Sequence, residues 1–340
     1  MIVGIDIGGA NLKLASESKQ AHSCFFPMWR RPETLKDSLC ESLALFQDVS
    51  AIAVVMTGEL ADCFADRAEG VLHIVEHTRR AAAERDIPSC YFYGVDGLFR
   101  EQVGTEDVDL IAAANWHALA SYVGQSITPN ALLIDIGSTT TDIIPIRNGR
   151  VATKTQTDYD RLCEGSLVYV GCQRTPVCGL CSWVTYQGNR IPVMNEVFAT
   201  IDDARIMLGF EKENAEDLET ADGRARTREF ASNRLARMVG LDRRSVSLDQ
   251  SMQIAEQVMR AAQQQIAYSV QRLLATMSFK PTTFVISGHG NDLLKIPRDV
   301  ELVSMTKQMG VEAARGAPSY AVAKQLRHFL DKRGSNASRD

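Results

Sequence analysis

The sequence predicts an α/β protein made of two similar halves around one phosphate-binding cleft, and three observations predict it. First, MIVGIDIGGANLKLA runs an apolar strand into a glycine pair and out again into an alternating strand. Second, ALLIDIGSTTTDIIPI, from Ala131 to Ile146, repeats that pattern, with Asp135 falling on Asp6 and Gly137 on Gly8 at a separation of 129 residues. That separation is a domain length, not a solenoid period. Third, short apolar runs alternate with helix-patterned segments, as in a largely parallel sheet covered by helices.

In chain order, Met1 to Ile7 reads as a strand, Gly8 and Gly9 as a turn, and the Asn11 to Leu14 alternation as a second strand. The runs Ala51 to Met56 and Tyr91 to Val95 are further strands, flanking a helix from Arg67 to Arg85. Val108 to Val123 reads as a helix lying on that first sheet. After the second hairpin come helices around Arg161 to Val170 and around Asn195 to Leu208. A charged, solvated stretch follows from Glu211 to Arg228, within a polar insertion spanning about 209–248. From Met252 to Met277 the residues Ile254, Val258, Ala261, Ile266, Val270 and Leu273 mark one long amphipathic helix. TFVISGHGNDLL is a strand, a Gly-His-Gly turn and a helix start that Asn291 can cap. Ser319 to Leu330 reads as a closing helix. These elements divide the chain into a first lobe (1–125), a second lobe (126–318), and a C-terminal helix and tail (319–340) that packs back on the first lobe.

Composition narrows the function classes. A 340-residue chain with 45% hydrophobic residues builds real cores. Lys and Arg total 37 against 42 Asp and Glu, so a net charge of −5 offers no general attraction to nucleic acid or an anionic membrane. No run approaches the roughly 18 apolar residues of a membrane span, and the first residues read as core strand, which gives a cytoplasmic expectation. The partners expected are small molecules, with an oligomer left open. The eight cysteines are expected as free thiols. Cys163, Cys172, Cys178 and Cys181 lie close enough in sequence to be either a zinc set or ordinary buried cysteines.

The turns carry the chemistry. Gly8 and Gly9, with Asn11 and Lys13 beyond them, leave backbone N–H groups unobstructed for phosphate oxygens. Gly137, Ser138, Thr139 and Thr140 do the same with added hydroxyls. Lys13 supplies a compact positive charge for a leaving phosphate. Asp6 and Asp135, at the strand ends, would repel phosphate unless a hard cation intervened, so Mg2+ is expected there, held partly through water. Either turn alone is equally a plain hairpin; the repetition is what favours a site.

Two such hairpins and a late Gly-x-Gly turn resemble the sugar kinase, heat-shock ATPase and actin superfamily across nearly the whole chain. The resemblance implies an actin-like, ribonuclease H-like duplicated fold with phosphates in the cleft between lobes. It makes DIGGANLK the first phosphate loop, DIGSTTTD the second, and residues 285–294 an adenosine-side loop placing Gly288, His289 and Gly290 near phosphate or nucleotide. Within that superfamily, TDYDRLCEGSLVYVGCQRTPV and NEVFATIDDARIMLG resemble the hydantoinase A and oxoprolinase-related group, in particular members tied to tetrahydromethanopterin-linked one-carbon transfer.

That resemblance implies a transferase of methanofuran-type cofactor biosynthesis, joining an aminomethylfuran-methyl diphosphate to gamma-glutamyltyramine or a related phenol with release of diphosphate. The alternative it leaves is an ATP-dependent small-molecule kinase or an oxoprolinase-like ATPase, with ATP as the second cofactor. For the transfer, Asp135 and Lys13 are the expected catalytic pair at the diphosphate. Helical spacing puts Glu196 and Asp203 on one face with Thr200, either as acids and bases for the phenol or as a wet helix face. Arg174 either holds phosphate or the glutamyl carboxylate, or makes a surface ion pair.

Overall fold

The structure is a computed structural model that describes residues 1–295 and 300–337. The first sheet contains β1 (Ile2–Ile7), β2 (Asn11–Ser16), β3 (Ala21–Phe25), β4 (Ala51–Met56), β5 (Cys90–Tyr93) and β6 (Phe99–Arg100), in the order β3-β2-β1-β4-β5-β6. β7 (Ala131–Ile136), β8 (Thr141–Arg147), β9 (Arg150–Val151) and β10 (Leu167–Val168) open the second sheet. A separate ribbon pairs β11 (Trp183–Tyr186) with β12 (Asn189–Pro192). β13 (Thr283–Gly288) and β14 (Glu301–Ser304) complete the second sheet, ordered β10-β8-β7-β13-β14.

The two sheets share one plan. An antiparallel hairpin, β1 with β2 or β7 with β8, is followed by a parallel neighbour, β4 on β1 or β13 on β7. The register repeats residue for residue: Asp6 faces Lys13 across one hairpin, and Asp135 faces Asp142 across the other. This is the duplicated α/β architecture expected from the repeat.

Helices cover the sheets in layers. α1 (Leu35–Leu43) and α2 (Arg67–Glu84) lie on the outer face of the first sheet. Short α3 (Val108–Ile111) leads into α4 (Asn115–Ser126). In the second half come α5 (Asp158–Glu164), α6 (Val177–Leu180), α7 (Ile201–Met207), α8 (Arg228–Arg237) and α9 (Leu248–Thr276), of which α7 to α9 cover the second sheet's outer face. α10 (Met305–Met309), α11 (Val311–Arg315) and α12 (Ala317–Ala337) close the chain. Between the sheets, α4 and α12 share a third core with Ala53, Val55, Leu133, Ile144 and Val285. No described helix is long and apolar enough to cross a membrane.

Strand alternation decides what faces inward. In β4, Ile52, Val54 and Met56 enter the outer core while Ala51, Ala53 and Val55 enter the inner one. In β1, Val3, Ile5 and Ile7 take the outer core, which leaves Gly4 and Asp6 on the inner face. The same parity puts Lys13, Asp135 and Asp142 on inner faces, at the strand ends where the two sheets confront each other.

Several element expectations need correction. The 108–123 helix is interrupted at Ala112–Ala114, and α4 packs chiefly on β8 and β9 of the second sheet, with α12 on β1, β2 and β4. The 1–125 lobe boundary therefore assigns to the first lobe a helix that covers the second sheet. The 161–170 helix ends at Glu164, where Gly165 adopts φ 94° and the chain enters β10. The 195–208 helix begins only at Ile201, because Thr200 and Asp203 form a capping box that starts it there. The 209–248 insertion is not uniformly polar: α8 buries Ala231, Leu235 and Ala236 completely. Asn291 begins a 3-10 turn, Asn291–Leu293, and Gly290 holds the cap position.

Candidate active site

Between the lobes lies a cleft of about 730 Å³. Both hairpin turns open onto it: Gly8, Gly9, Asn11 and Lys13 from one side, Gly137, Ser138, Thr139 and Thr140 from the other. The turns are built alike, Gly8 N–H donating to Asn11 O at 3.0 Å and Gly137 N–H to Thr140 O at 2.9 Å. A Cβ at Gly9 would meet nothing within 4 Å, so that turn presents open backbone to the cleft.

Asp6 and Asp135 line the same cleft. Burial raises the Asp6 carboxyl above its usual range, with Lys13 opposing that shift, and Asp6 Oδ1 is buried without a hydrogen-bond partner. Burial, reinforced by the nearby charge of Asp142, raises Asp135 to about 7. Asp142 is itself held by Arg161, which is 1% exposed, donates to it, and stacks on Trp116 with its guanidinium 4.3 Å from the ring centroid. Arg161 also lines the cleft and joins the second lobe to α4.

These carboxylates fit the magnesium expected from the sequence. Among the described residues no group of three or more His, Cys, Asp or Glu is placed to share an ion. Mg2+ commonly takes one or two carboxylates and fills its octahedron with water and phosphate oxygens. An orphaned Asp6 oxygen, in a cleft that Asp135 also lines, suits that mode. The four clustered cysteines form no such group either: Cys172 is buried in the second lobe's core, while Cys163 is exposed.

The late glycine turn is divided in its roles. Gly288 and His289 reach the cleft; Gly290 does not. A Cβ on Gly290 would sit 2.3 Å from Ile136 Cγ2, so this glycine lets the turn pack against β7. His289 N–H donates to Ile136 O at 3.1 Å, and burial with the nearby Lys13 charge lowers its imidazole to about 3, which keeps it neutral. Arg205, missed in the sequence, fixes this turn: it donates to His289 O and Cys172 O at 3.0 Å and forks onto Asp292 at 2.9 Å.

Arg174 lines the cleft and lies over the Trp29 ring at 5.2 Å, bridging the two lobes instead of making a surface ion pair. Glu196 and Asp203 are not brought to the cleft. Glu196 sits in an exposed loop before α7, and Asp203 is buried in an ion pair with Arg234 at 2.7 Å while accepting from Thr200 N–H. Their expected partnership on one helix face fails because the helix starts too late to include Glu196.

A fourth turn follows β4 at Thr57-Gly58, which no motif in the sequence marks. Thr57 N–H donates to Ile7 O at 2.9 Å as His289 does to Ile136 O, so Thr57-Gly58 is the first lobe's counterpart of His289-Gly290. Thr57 and the following Glu59 both line the cleft. The 129-residue offset carries no signal here, since the two turns lie at different chain distances from their hairpins.

A hydantoinase/oxoprolinase family model matches residues 50–317. The chain belongs to the hydantoinase/oxoprolinase family. Among relatives of this hydantoinase/oxoprolinase-family protein, the (4-{4-[2-(gamma-L-glutamylamino)ethyl]phenoxymethyl}furan-2-yl)methanamine synthase of Methanocaldococcus jannaschii is 35% identical over 341 residues, 98% of this chain and 99% of that one. The like-named synthase of Methanococcus vannielii is 29% identical over 219 residues, 62% of this chain and 97% of that one. Among solved structures, nucleotide-free acetone carboxylase is similar at a TM-score of 0.49 and 13% identity, over 92% of this chain and 51% of that one.

Proposed function

We propose that this protein is a synthase of methanofuran-type cofactor assembly, joining an aminomethylfuran-methyl diphosphate to the phenol of gamma-glutamyltyramine, or a related phenol, and releasing diphosphate. One observation carries the reading: both glycine turns, Lys13, the buried Asp6 and the half-buried Asp135 converge on one cleft, in a chain 35% identical over 98% of its length to a synthase named for that ether.

The chemistry follows from charge. The methylene C–O bond breaks as the diphosphate gathers negative charge, so catalysis needs donors aimed at that group. The N–H groups of the two turns, the hydroxyls of Ser138, Thr139 and Thr140, and the Lys13 ammonium are this chain's donors. Asp6 and Asp135 would hold magnesium, which when bound offsets both their charge and that of the leaving group. The furan ring delocalises the positive charge left on the methylene, so the protein's further task is to position the phenol.

The test is direct. Purified protein with Mg2+, the furan diphosphate and gamma-glutamyltyramine should yield the coupled ether and one equivalent of diphosphate. Formation of neither product, with ATP instead giving phosphate transfer to an acceptor, would replace this reading with the kinase one.

A further inference from the structure

We propose that Glu59 is the base that takes the proton from the acceptor's hydroxyl as the ether bond forms; this rests on the functional reading above. Glu59 follows the Thr57-Gly58 turn, whose glycine lies so close to the first phosphate turn that a Cβ there would be 3.0 Å from Gly8 O. Glu59 therefore stands next to the first phosphate turn, and it lines the cleft.

The side chain is 1% exposed, and its Oε2 has no hydrogen-bond partner. A buried carboxylate oxygen without a donor is costly, and the first hydroxyl to enter that end of the cleft relieves the cost. The surroundings are arranged around this group. The backbone of Ala113 stabilises the carboxylate from within the Ala112–Ala114 break. Ala113 does so at φ 49°, a left-handed conformation that alanine rarely adopts and that clusters at functional sites. Gly70 of α2 presses against the backbone of Glu59, where any Cβ would lie 2.0 Å from its carbonyl oxygen. Leu60, Leu162 and Tyr169, each about half exposed or more, line the same cleft and offer apolar surface to an aromatic acceptor.

The charged groups facing Glu59 are Asp158 of α5 and Arg67 of α2, of opposite effect. Burial outweighs both and raises Glu59 to about 7, a value suited to a base working near neutrality. The step balances: the phenol oxygen bonds to the furan methylene, the methylene–diphosphate bond breaks with its electron pair leaving on diphosphate, and the phenolic proton passes to Glu59.

The experiment compares wild type with Glu59→Gln and Glu59→Asp on gamma-glutamyltyramine and on its ring-fluorinated counterpart, whose phenol is more acidic. General-base loss predicts a fall in kcat/KM on the order of 10²–10⁴-fold for Glu59→Gln. It also predicts loss of the rising limb near pH 7, a smaller deficit with the fluorinated acceptor, and an unchanged thermal shift on adding inorganic diphosphate with Mg2+. Glu59→Asp should recover part of the activity and the limb. An active wild type whose Gln variant keeps the limb, or loses equally on both acceptors, overturns the role of Glu59 alone. A wild type that makes no ether overturns the functional reading, and this assignment falls with it.

Discussion

At the residue scale, one substitution between the repeats separates their tasks. Lys13 and Asp142 hold equivalent positions, each opposite an aspartate across its hairpin. The first lobe thus supplies a cation to the cleft, and the second supplies a carboxylate clamped by Arg161. Lys13→Ala is expected to lower kcat/KM by about 10²–10³-fold, the usual loss when one donor to a developing charge is removed, in a variant that still folds. Steady-state kinetics on the folded variant checks this. Asp135 makes a pH prediction. Its carboxyl is raised from 3.8 to about 7, so the folded state holds the proton more tightly than the unfolded chain. That contribution is complete below about pH 4 and is lost as pH rises through about 7. Without ligand, Asp135→Asn should flatten the decline in melting temperature between those limits; an unchanged slope in a pH-resolved melt would contradict it. Asp6, Lys13 and Asp135 were legible in the sequence because a repeated strand, turn and strand exposed them. Glu59, Arg161 and Arg205 were not, since each acts through contacts with segments distant in sequence and belongs to no repeated motif.

At the element scale, glycines that look alike do different work. Gly9 has open space around it and no left-handed backbone, so Gly9→Ala should leave the melting temperature within a degree or so while weakening the thermal shift produced by diphosphate. Gly288 adopts φ 80°, and a Cβ there would lie 2.0 Å from Ile136 O. Gly288→Ala should destabilise the second lobe by more than the roughly 1–3 kcal/mol of the backbone strain alone, read from denaturant unfolding. Arg205→Ala removes a buried cation from Asp292 and should cost about 3–5 kcal/mol by the same measurement. The hairpins, β4 and the long α9 were legible because apolar period alone defines them. The start of α7 was not, because its capping box overrides the apolar stripe that continues upstream. The packing partner of α4 was hidden for a different reason: a helix's sequence gives its apolar face, not which sheet will receive it.

At the scale of the whole molecule, the cleft exists because two sheets of one plan confront each other across α4 and α12. The duplication was legible, and so was the convergence of its two turns. The exchange of inner helices was not, with the early α4 serving the late sheet and the late α12 serving the early one. Because Asp6 and Asp135 come from different lobes, diphosphate with Mg2+ should raise the melting temperature of the chain as one cooperative unit, and omitting Mg2+ should abolish most of the shift in a differential scanning measurement.

The closeness of Gly4 to α12 makes the inner core of the first sheet depend on a contact between segments far apart in the chain. A Cβ at Gly4 would lie 1.8 Å from Ser319 O, so the backbones of α12 and β1 meet with no side chain between them, a pairing of positions 315 residues apart. Ile2, Ala53 and Val55 share a core with α12, so that core closes only when this distant pairing forms, and contacts of such sequence separation form slowly.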